Sequence, residues 1–312
     1  MARGLREIRR KMKAVKSTRQ VTKAMELVAA SKMRKAVQNA QMLRRYALHA
    51  WDILQSLGRA HAEAHSFLKQ RSVEKVLAIV FTSDRGLCGS LNAQLLRSLT
   101  HYIKGISSLK TFQKIDFITV GKKGHQMVTR QGHTVIATFP ALSNHPSHRD
   151  VLPIGRLALQ SFVDGTYDHV VLVYTDFISP LIQQPAVKVL LPFSPSEIKE
   201  MLSHLAHQKK STKEEQELAK IRSDVAIDYI LEPSINEVLD IILPQLTEVQ
   251  IFQAVLESVA SEHSARMIAM RNATDNASGI MDDLTLTYNQ TRQAGITAEL
   301  AELSASKAAL DS

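Results

Sequence analysis

Between residues 239 and 298 the sequence places a seam residue at alternating steps of three and four. The positions are Leu239, Ile242, Leu246, Val249, Gln253, Leu256, Ala260, His263, Met267, Met270, Thr274, Ala277, Met281, Leu284, Tyr288, Thr291, Gly295 and Ala298. Eighteen positions in one register are hard to obtain by chance. A repeat of 3.5 residues on a helix of 3.6 residues per turn drifts around the axis, so such a helix must wrap left-handedly around a partner helix. Many of the seam residues are small or polar, which lets two backbones approach closely but gives a weaker seam than leucine throughout. Pro244 falls near the start, as a first-turn residue or a kink.

A second stretch of the same kind opens the chain. From Leu5 to Leu68 there is no proline, and Gly58 is the only glycine. Leu5, Ile8, Met12, Val15, Thr22, Met25, Ala29, Met33 and Ala36 follow the helical period, with Arg19 interrupting the seam. About 55 helical residues would reach roughly 80 Å, far more than a globular domain needs. The two long helices at opposite ends of the chain most simply pair antiparallel with each other.

The middle of the chain has a different texture. Short β-branched runs at Val76–Thr82, Ile115–Val120, Thr134–Phe139, His169–Tyr174 and Ala186–Leu191 alternate with helical stretches near Leu91–Ile103, Lys123–Arg130, Val151–Val163 and Pro195–Gln208. That alternation predicts an α/β layer with a largely parallel sheet. The expected organisation is a coiled-coil helix over residues 1–70, a central Rossmann-like α/β domain over 75–232, a coiled-coil helix over 234–305 and a tail at 306–312. Within the central domain, 196–224 reads as a polar, charged excursion.

Composition narrows the function. Aromatic residues make up only 5% of the chain, which suits helix-on-helix seams better than sandwiches. The single cysteine, Cys88, cannot form an internal disulfide, and nothing argues for an oxidising compartment. No apolar run approaches the ~20 residues that span a bilayer, so the expectation is a soluble or peripheral protein. The basic, amphipathic start has the look of a transit peptide, yet its helical pattern continues unbroken past residue 35 and is read as mature structure. The net charge of +9 is concentrated there: residues 1–35 carry twelve basic side chains against Glu7 and Glu26. Such a stripe attracts nucleic acid, anionic lipid or an acidic protein surface, and charge alone does not choose.

Candidate chemistry is sparse. Ser83-Asp84-Arg85-Gly86-Leu87-Cys88-Gly89-Ser90 follows a strand and opens a helix, where phosphate loops live, but lacks the spacing of either nucleotide-binding fingerprint. It reads as a tight turn, and so does Gly121-Lys122-Lys123-Gly124. Cys88 reads as a small buried side chain rather than a nucleophile. His145 and His148 read as surface residues of a proline loop, and His263 as a packed or hydrogen-bonded seam residue. Glu262 and Arg266, spaced i, i+4, fit a helix-surface ion pair. No catalytic constellation is present, and the expectation is a chain with no catalytic residues, no bound cofactor and no metal. A coiled-coil protein holding nucleic acid with its basic helix is the alternative, weakened by the lack of interleaved aromatics. An isolated α/β enzyme is third.

Longer blocks carry a resemblance. AMELVAASKMRKA (Ala24–Ala36), TSDRGLCGSLN (Thr82–Asn92), SEHSARMIAMRNATDNA (Ser261–Ala277) and DLTLTYNQTRQAGITAEL (Asp283–Leu300) resemble the signature blocks of the ATP synthase gamma subunit family, in the same order and across essentially the whole chain. The resemblance implies a non-catalytic central rotor stalk. Its helix pair would enter a ring of three alpha and three beta subunits, and its α/β domain would sit beside the epsilon subunit and the membrane c-ring. Met25 matches the family methionine facing an acidic lever loop. Arg266, Arg292, Gln293, Thr297 and Glu299 match positions touching catalytic-subunit loops, and Tyr229 and Glu232 match the foot on the membrane ring. ATP, ADP and magnesium would bind neighbouring subunits, and neither nucleic acid nor lipid insertion is implied. The implied location is peripheral, on the cytoplasmic face of a bacterial inner membrane. Gly295 departs from the family, which usually has a small residue with a Cβ there, at a cost of ~1 kcal/mol in helix stability.

Overall fold

The computed structural model describes residues 2–61, 66–142, 146–193 and 235–310. These form α1 (Ala2–His61), β1 (Lys75–Phe81), α2 (Leu91–Ser107), β2 (Lys114–Val120), α3 (Lys122–Arg130), β3 (Thr134–Phe139), α4 (His148–Val163), β4 (His169–Phe177), β5 (Gln183–Leu191) and α5 (Ile235–Leu310). The chain divides into two compact units, one of residues 1–30 with 266–312 and the other of residues 31–265. All five expected strands are present. The expected helix at Pro195–Gln208, the 196–224 excursion, His145, Tyr229 and Glu232 lie outside the described residues. The description of α1 reaches His61 and a turn stands at 66–69, within the expected 1–70 segment, and α5 is helical to Leu310, into the segment read as a tail.

In the second unit the strands lie in the order β3-β2-β1-β4-β5. β1 pairs parallel with β2 and β4, β2 pairs parallel with β3, and only β5 runs antiparallel, against β4. The central strand KVLAIVF shows why. Every residue from Val76 to Phe81 is buried, as a parallel strand covered on both faces requires, and the run is correspondingly hydrophobic without alternation. Successive side chains point to opposite faces. Val76, Ala78 and Val80 join Leu95, Leu99 and Val128 of α2 and α3 on one side. Leu77, Ile79 and Phe81 join Ile154, Ala158 and Phe162 of α4 and Leu243, Leu246 and Val255 of α5 on the other. Each such aliphatic or aromatic side chain contributes about 1.5–3 kcal/mol by leaving water.

This second face explains a difference from the sequence pattern. Between Leu246 and Ser264 nearly every residue of α5 is buried, not only the seam positions. Here the helix is a core element of the α/β unit, and its apolar content serves the sheet. One stretch within Glu237–Ser304 is apolar enough to satisfy the composition of a bilayer span, with mean hydropathy 1.2, contrary to the sequence expectation. Its 56% burial inside the protein accounts for that hydropathy. Glu262 is also buried here, which overturns its reading as a helix-surface acid. His263 is buried as expected.

Two glycines fix the start of α3. Gly121 sits at φ 99°, and a Cβ there would collide with the Thr82 carbonyl. A Cβ on Gly124 would lie 2.9 Å from the Thr82 hydroxyl, which accepts the Gly124 N–H at 2.8 Å. GKKG is a close backbone approach between α3 and the end of β1. At α4, the Asp150 carboxylate accepts the Ser147 N–H and hydroxyl, both at 2.8 Å, and these bonds hold its pKa below the usual value. Beside it, His148 faces Glu248 at 3.6 Å and meets Phe252 edge-on.

Candidate functional site

The first unit is a pair of helical segments, and its burial pattern reproduces the seam read from the sequence. On α1 the residues withdrawn from solvent include Leu5, Ile8, Met12, Val15, Thr22, Met25 and Ala29. On α5 they include Met270, Thr274, Ala277, Met281, Leu284, Tyr288, Thr291, Gly295 and Ala298, while most residues between are exposed. Gly295 is buried, with nothing within 4 Å of where a Cβ would stand.

Contacts across the seam fix its direction. Arg9 Nη2 donates to the Tyr288 hydroxyl at 2.6 Å, its guanidinium lying 5.5 Å from the ring centre. Arg19 Nη1 donates to Ser278 at 3.4 Å. The Thr22 and Thr274 hydroxyls meet at 2.8 Å, and Glu26 Oε1 lies 3.8 Å from Arg271 Nε. As numbers rise along α1, partner numbers fall along α5, so the pair is antiparallel. Glu26 is nearly buried and also binds Lys23 at 2.9 Å. This polar layer was not singled out in the sequence. Its signals were there: the interruption at Arg19 and two threonines on facing seams.

The sequence-matched partner residues fall in two classes. Met25 is half-buried on the seam, and Arg266 is half-buried at the edge of the unit. Arg292, Gln293, Thr297 and Glu299 are exposed and out of seam register, on the outer surface of α5. That outer surface also bears large aliphatic groups. On α1, Val21 is 56%, Leu27 61% and Val28 56% exposed; on α5, Leu286, Ile296, Leu300 and Leu303 are each at least half exposed.

The second unit offers little chemistry. Ser83–Ser90 is a turn, with Leu87 at φ 64° and Gly89 at φ 59°. Asn92 Nδ2 donates to the Ser83 hydroxyl at 2.7 Å, and Asp84 Oδ1 accepts the Lys122 N–H at 2.8 Å. These bonds tie Ser83 to α2 and Asp84 to the start of α3. Cys88 is buried within it. At the carboxyl ends of β1 and β4, where open α/β sheets place ligands, Val255, Val259 and Glu262 of α5 line the crevice. About 20 Å³ remains, room for a water molecule. Asp116, buried in β2, is satisfied by Lys114 at 2.7 Å and the Tyr167 hydroxyl at 2.8 Å. Burial, with the bond to Asp116, raises the Tyr167 pKa well above that of an ordinary phenol. Among the described residues, no group of three or more His, Cys, Asp or Glu is placed to hold a metal ion.

A helix pair crossed by polar contacts, large aliphatic side chains on its outer surface and a nearly filled crevice in the α/β unit are features of a structural, partner-binding protein. The sequence profile of the ATP synthase family matches residues 4–310. The ATP synthase gamma chain of Roseiflexus sp. strain RS-1 is 41% identical over 98% of this chain and 98% of its own length. That of Legionella pneumophila strain Corby is 37% identical over 98% and 99%. In fold, the chain is similar to the rotor of the Euglena gracilis mitochondrial ATP synthase, with TM-score 0.61 and 22% identity, covering 95% of this chain and all of that one. It is also similar to a chain of the Tetrahymena thermophila mitochondrial ATP synthase central stalk, with TM-score 0.55 and 23% identity, covering 81% and 99%. The chain belongs to the ATP synthase gamma chain family. Nothing in these comparisons supports the nucleic-acid reading.

Proposed function

We propose that the helix pair is the rotating shaft of the complex, turning inside a head of three alpha and three beta subunits and coupling ion translocation through a membrane c-ring to ATP synthesis and hydrolysis. The observation that carries this reading is the outer surface of the pair. Val21, Leu27 and Val28 on α1 and Leu286, Ile296 and Leu300 on α5 expose aliphatic area away from the seam. Large aliphatic side chains left in water on both helices are what an interaction surface offers, here to a surrounding sleeve of protein. The basic residues beside it add attraction to acidic loops without fixed pairing, which suits a part that must turn.

In this reading Met25 faces an acidic lever loop, and Arg266, Arg292, Gln293, Thr297 and Glu299 touch loops of the catalytic subunits. Tyr229 and Glu232 belong to a foot that meets the c-ring, beside the epsilon subunit. A stalk subunit is a peripheral part of a membrane complex, and the cytoplasmic face of a bacterial inner membrane is our finer placement. The chain itself binds neither ATP, ADP nor magnesium, and isothermal titration of the purified chain with Mg-ATP at micromolar concentration should release no heat of binding.

The test is Met25→Lys in the assembled complex. A lysine there would form a charge-assisted hydrogen bond worth roughly 1.5–3 kcal/mol with an acidic loop, making part of the cycle sticky. Assembly should survive, while ATP-driven ion pumping in membrane vesicles falls relative to hydrolysis. Unchanged pumping per ATP would remove Met25 from that contact.

A further inference from the structure

The seam of the helix pair is built largely from residues that choose no register. Ala29, Ala277 and Gly295 are small, and Met12, Met25, Met270 and Met281 are flexible enough to pack against many neighbours. Sliding one helix past the other by a heptad, about 10 Å, would again set small and flexible groups face to face. One layer differs. Over two turns of α1 the seam carries Arg19, Thr22 and Glu26, and the facing turns of α5 carry Ser278, Thr274 and Arg271.

The layer is satisfied in a single register. Thr22 and Thr274 meet at 2.8 Å, and each hydroxyl also lies near the carbonyl one turn back, Arg19 at 3.0 Å and Met270 at 2.8 Å. Two hydroxyl protons thus serve one cross-helix bond and one backbone carbonyl. Glu26 is 8% exposed, held by Lys23 on its own helix and Arg271 on the other. Ala29, Met270 and Ala277 near it are buried. After a one-heptad slip, Glu26 would stand level with Ser278 instead of Arg271, and Thr22 with Met281 instead of Thr274. A nearly buried carboxylate would keep Lys23 but lose its cross-helix cation, and the Thr22 hydroxyl would lose its partner on the other helix.

We propose that Thr22, Glu26, Arg271 and Thr274 are the register key of the helix pair, positioning residues that stop the two helices from sliding along each other when the pair is loaded. This rests on contacts within the pair and not on any contact with the head, so its failure leaves the proposed function standing.

The experiment uses the full-length chain with Cys88→Ser, so that introduced cysteines are the only thiols. The register of the observed contacts sets Met12 level with Leu284. One reporter carries Met12→Cys with Leu284→Cys; the other carries Met12→Cys with Thr291→Cys, one heptad away, and both leave Arg9 and Tyr288 in place. With the key intact, mild oxidation should close only the first disulfide. In the quadruple variant Thr22→Val, Glu26→Met, Arg271→Met and Thr274→Val, the yield of the slipped disulfide should rise about two- to tenfold, the factor carried by one neutral cross-helix hydrogen bond such as Thr274 to Thr22. Helicity at 222 nm should be retained and the Tm unchanged or raised, because apolar replacements of polar seam residues cost specificity before stability. Glu26→Gln alone should give a smaller rise. A slipped-disulfide yield equal to the parent's in both variants overturns the proposal. So does loss of helicity in the quadruple variant, since the layer would then hold the pair together instead of choosing its register.

Discussion

His169 begins β4 level with Val76 of β1, and its Nε2 lies 3.4 Å from the Arg71 carbonyl. Burial lowers its pKa, and the Arg71 carbonyl and the Asp168 charge oppose that only in part. The fold therefore prefers the neutral ring. A base whose pKa is depressed by folding contributes stability above its unfolded value, ~6.5 for imidazole, and loses it as pH falls through that value toward the folded one. The Tm of the α/β unit should accordingly drop on acidification from about pH 7 to pH 5. His169→Gln should flatten that dependence, measured by calorimetry on both proteins over the same pH series. Parallel pH profiles would show that His169 titrates alike in the folded and unfolded chain. Asp150 acts in the same direction at lower pH, because Ser147 favours its ionised form.

At the scale of elements, the helical seams and the strands were legible because each obeys a period that the sequence displays. Thr134–Phe139 was placed to the residue, and the alternation of strands and helices gave the sheet. What escaped came from tertiary context. The all-round burial of α5 between Leu246 and Ser264 depends on a sheet and on α4, and a local period cannot report either. Glu262 looked like half of a surface pair because i, i+4 spacing carries no information about what covers the helix. The outer contact positions Arg292, Gln293, Thr297 and Glu299 were legible only through the family resemblance, since an exposed polar residue on a helix has no pattern of its own. The seam itself can be tested. Ala277 is 6% exposed, so Ala277→Asp would bury an unpaired carboxylate or part the helices, at a cost of about 3 kcal/mol. Asp283 is exposed and out of register, and Asp283→Ala should stay within about 0.5 kcal/mol. Thermal melting of the full chain followed at 222 nm separates the two. Equal shifts would mean that the 4-3 register is not a packing seam.

For the whole molecule, the two units differ in how they bury apolar surface. In the α/β unit Leu77, Ile79, Phe117, Ile154 and Phe162 are completely enclosed. In the helix pair Leu5, Ile8, Met12, Val15, Met281 and Leu284 keep part of their surface in water, and only a few positions such as Ala29, Met270 and Ala277 are closed off. Local opening free energy follows buried apolar contact, from near zero at frayed ends to the global value in core strands. Amides of residues 2–30 and 270–300 in the isolated chain should therefore exchange with deuterium well before those of β1, β2 and β4. If the pair turns inside a head as proposed, its aliphatic outer surface is covered there and each opening must also break contacts with that head. Slowing of exchange by at least about tenfold over residues 2–30 and 270–300 on assembly with alpha and beta subunits, with little change in β1, is the expected outcome. Equal protection of the helix pair alone and in the complex would mean that the pair needs no sleeve, and its exposed aliphatics would then require a different partner.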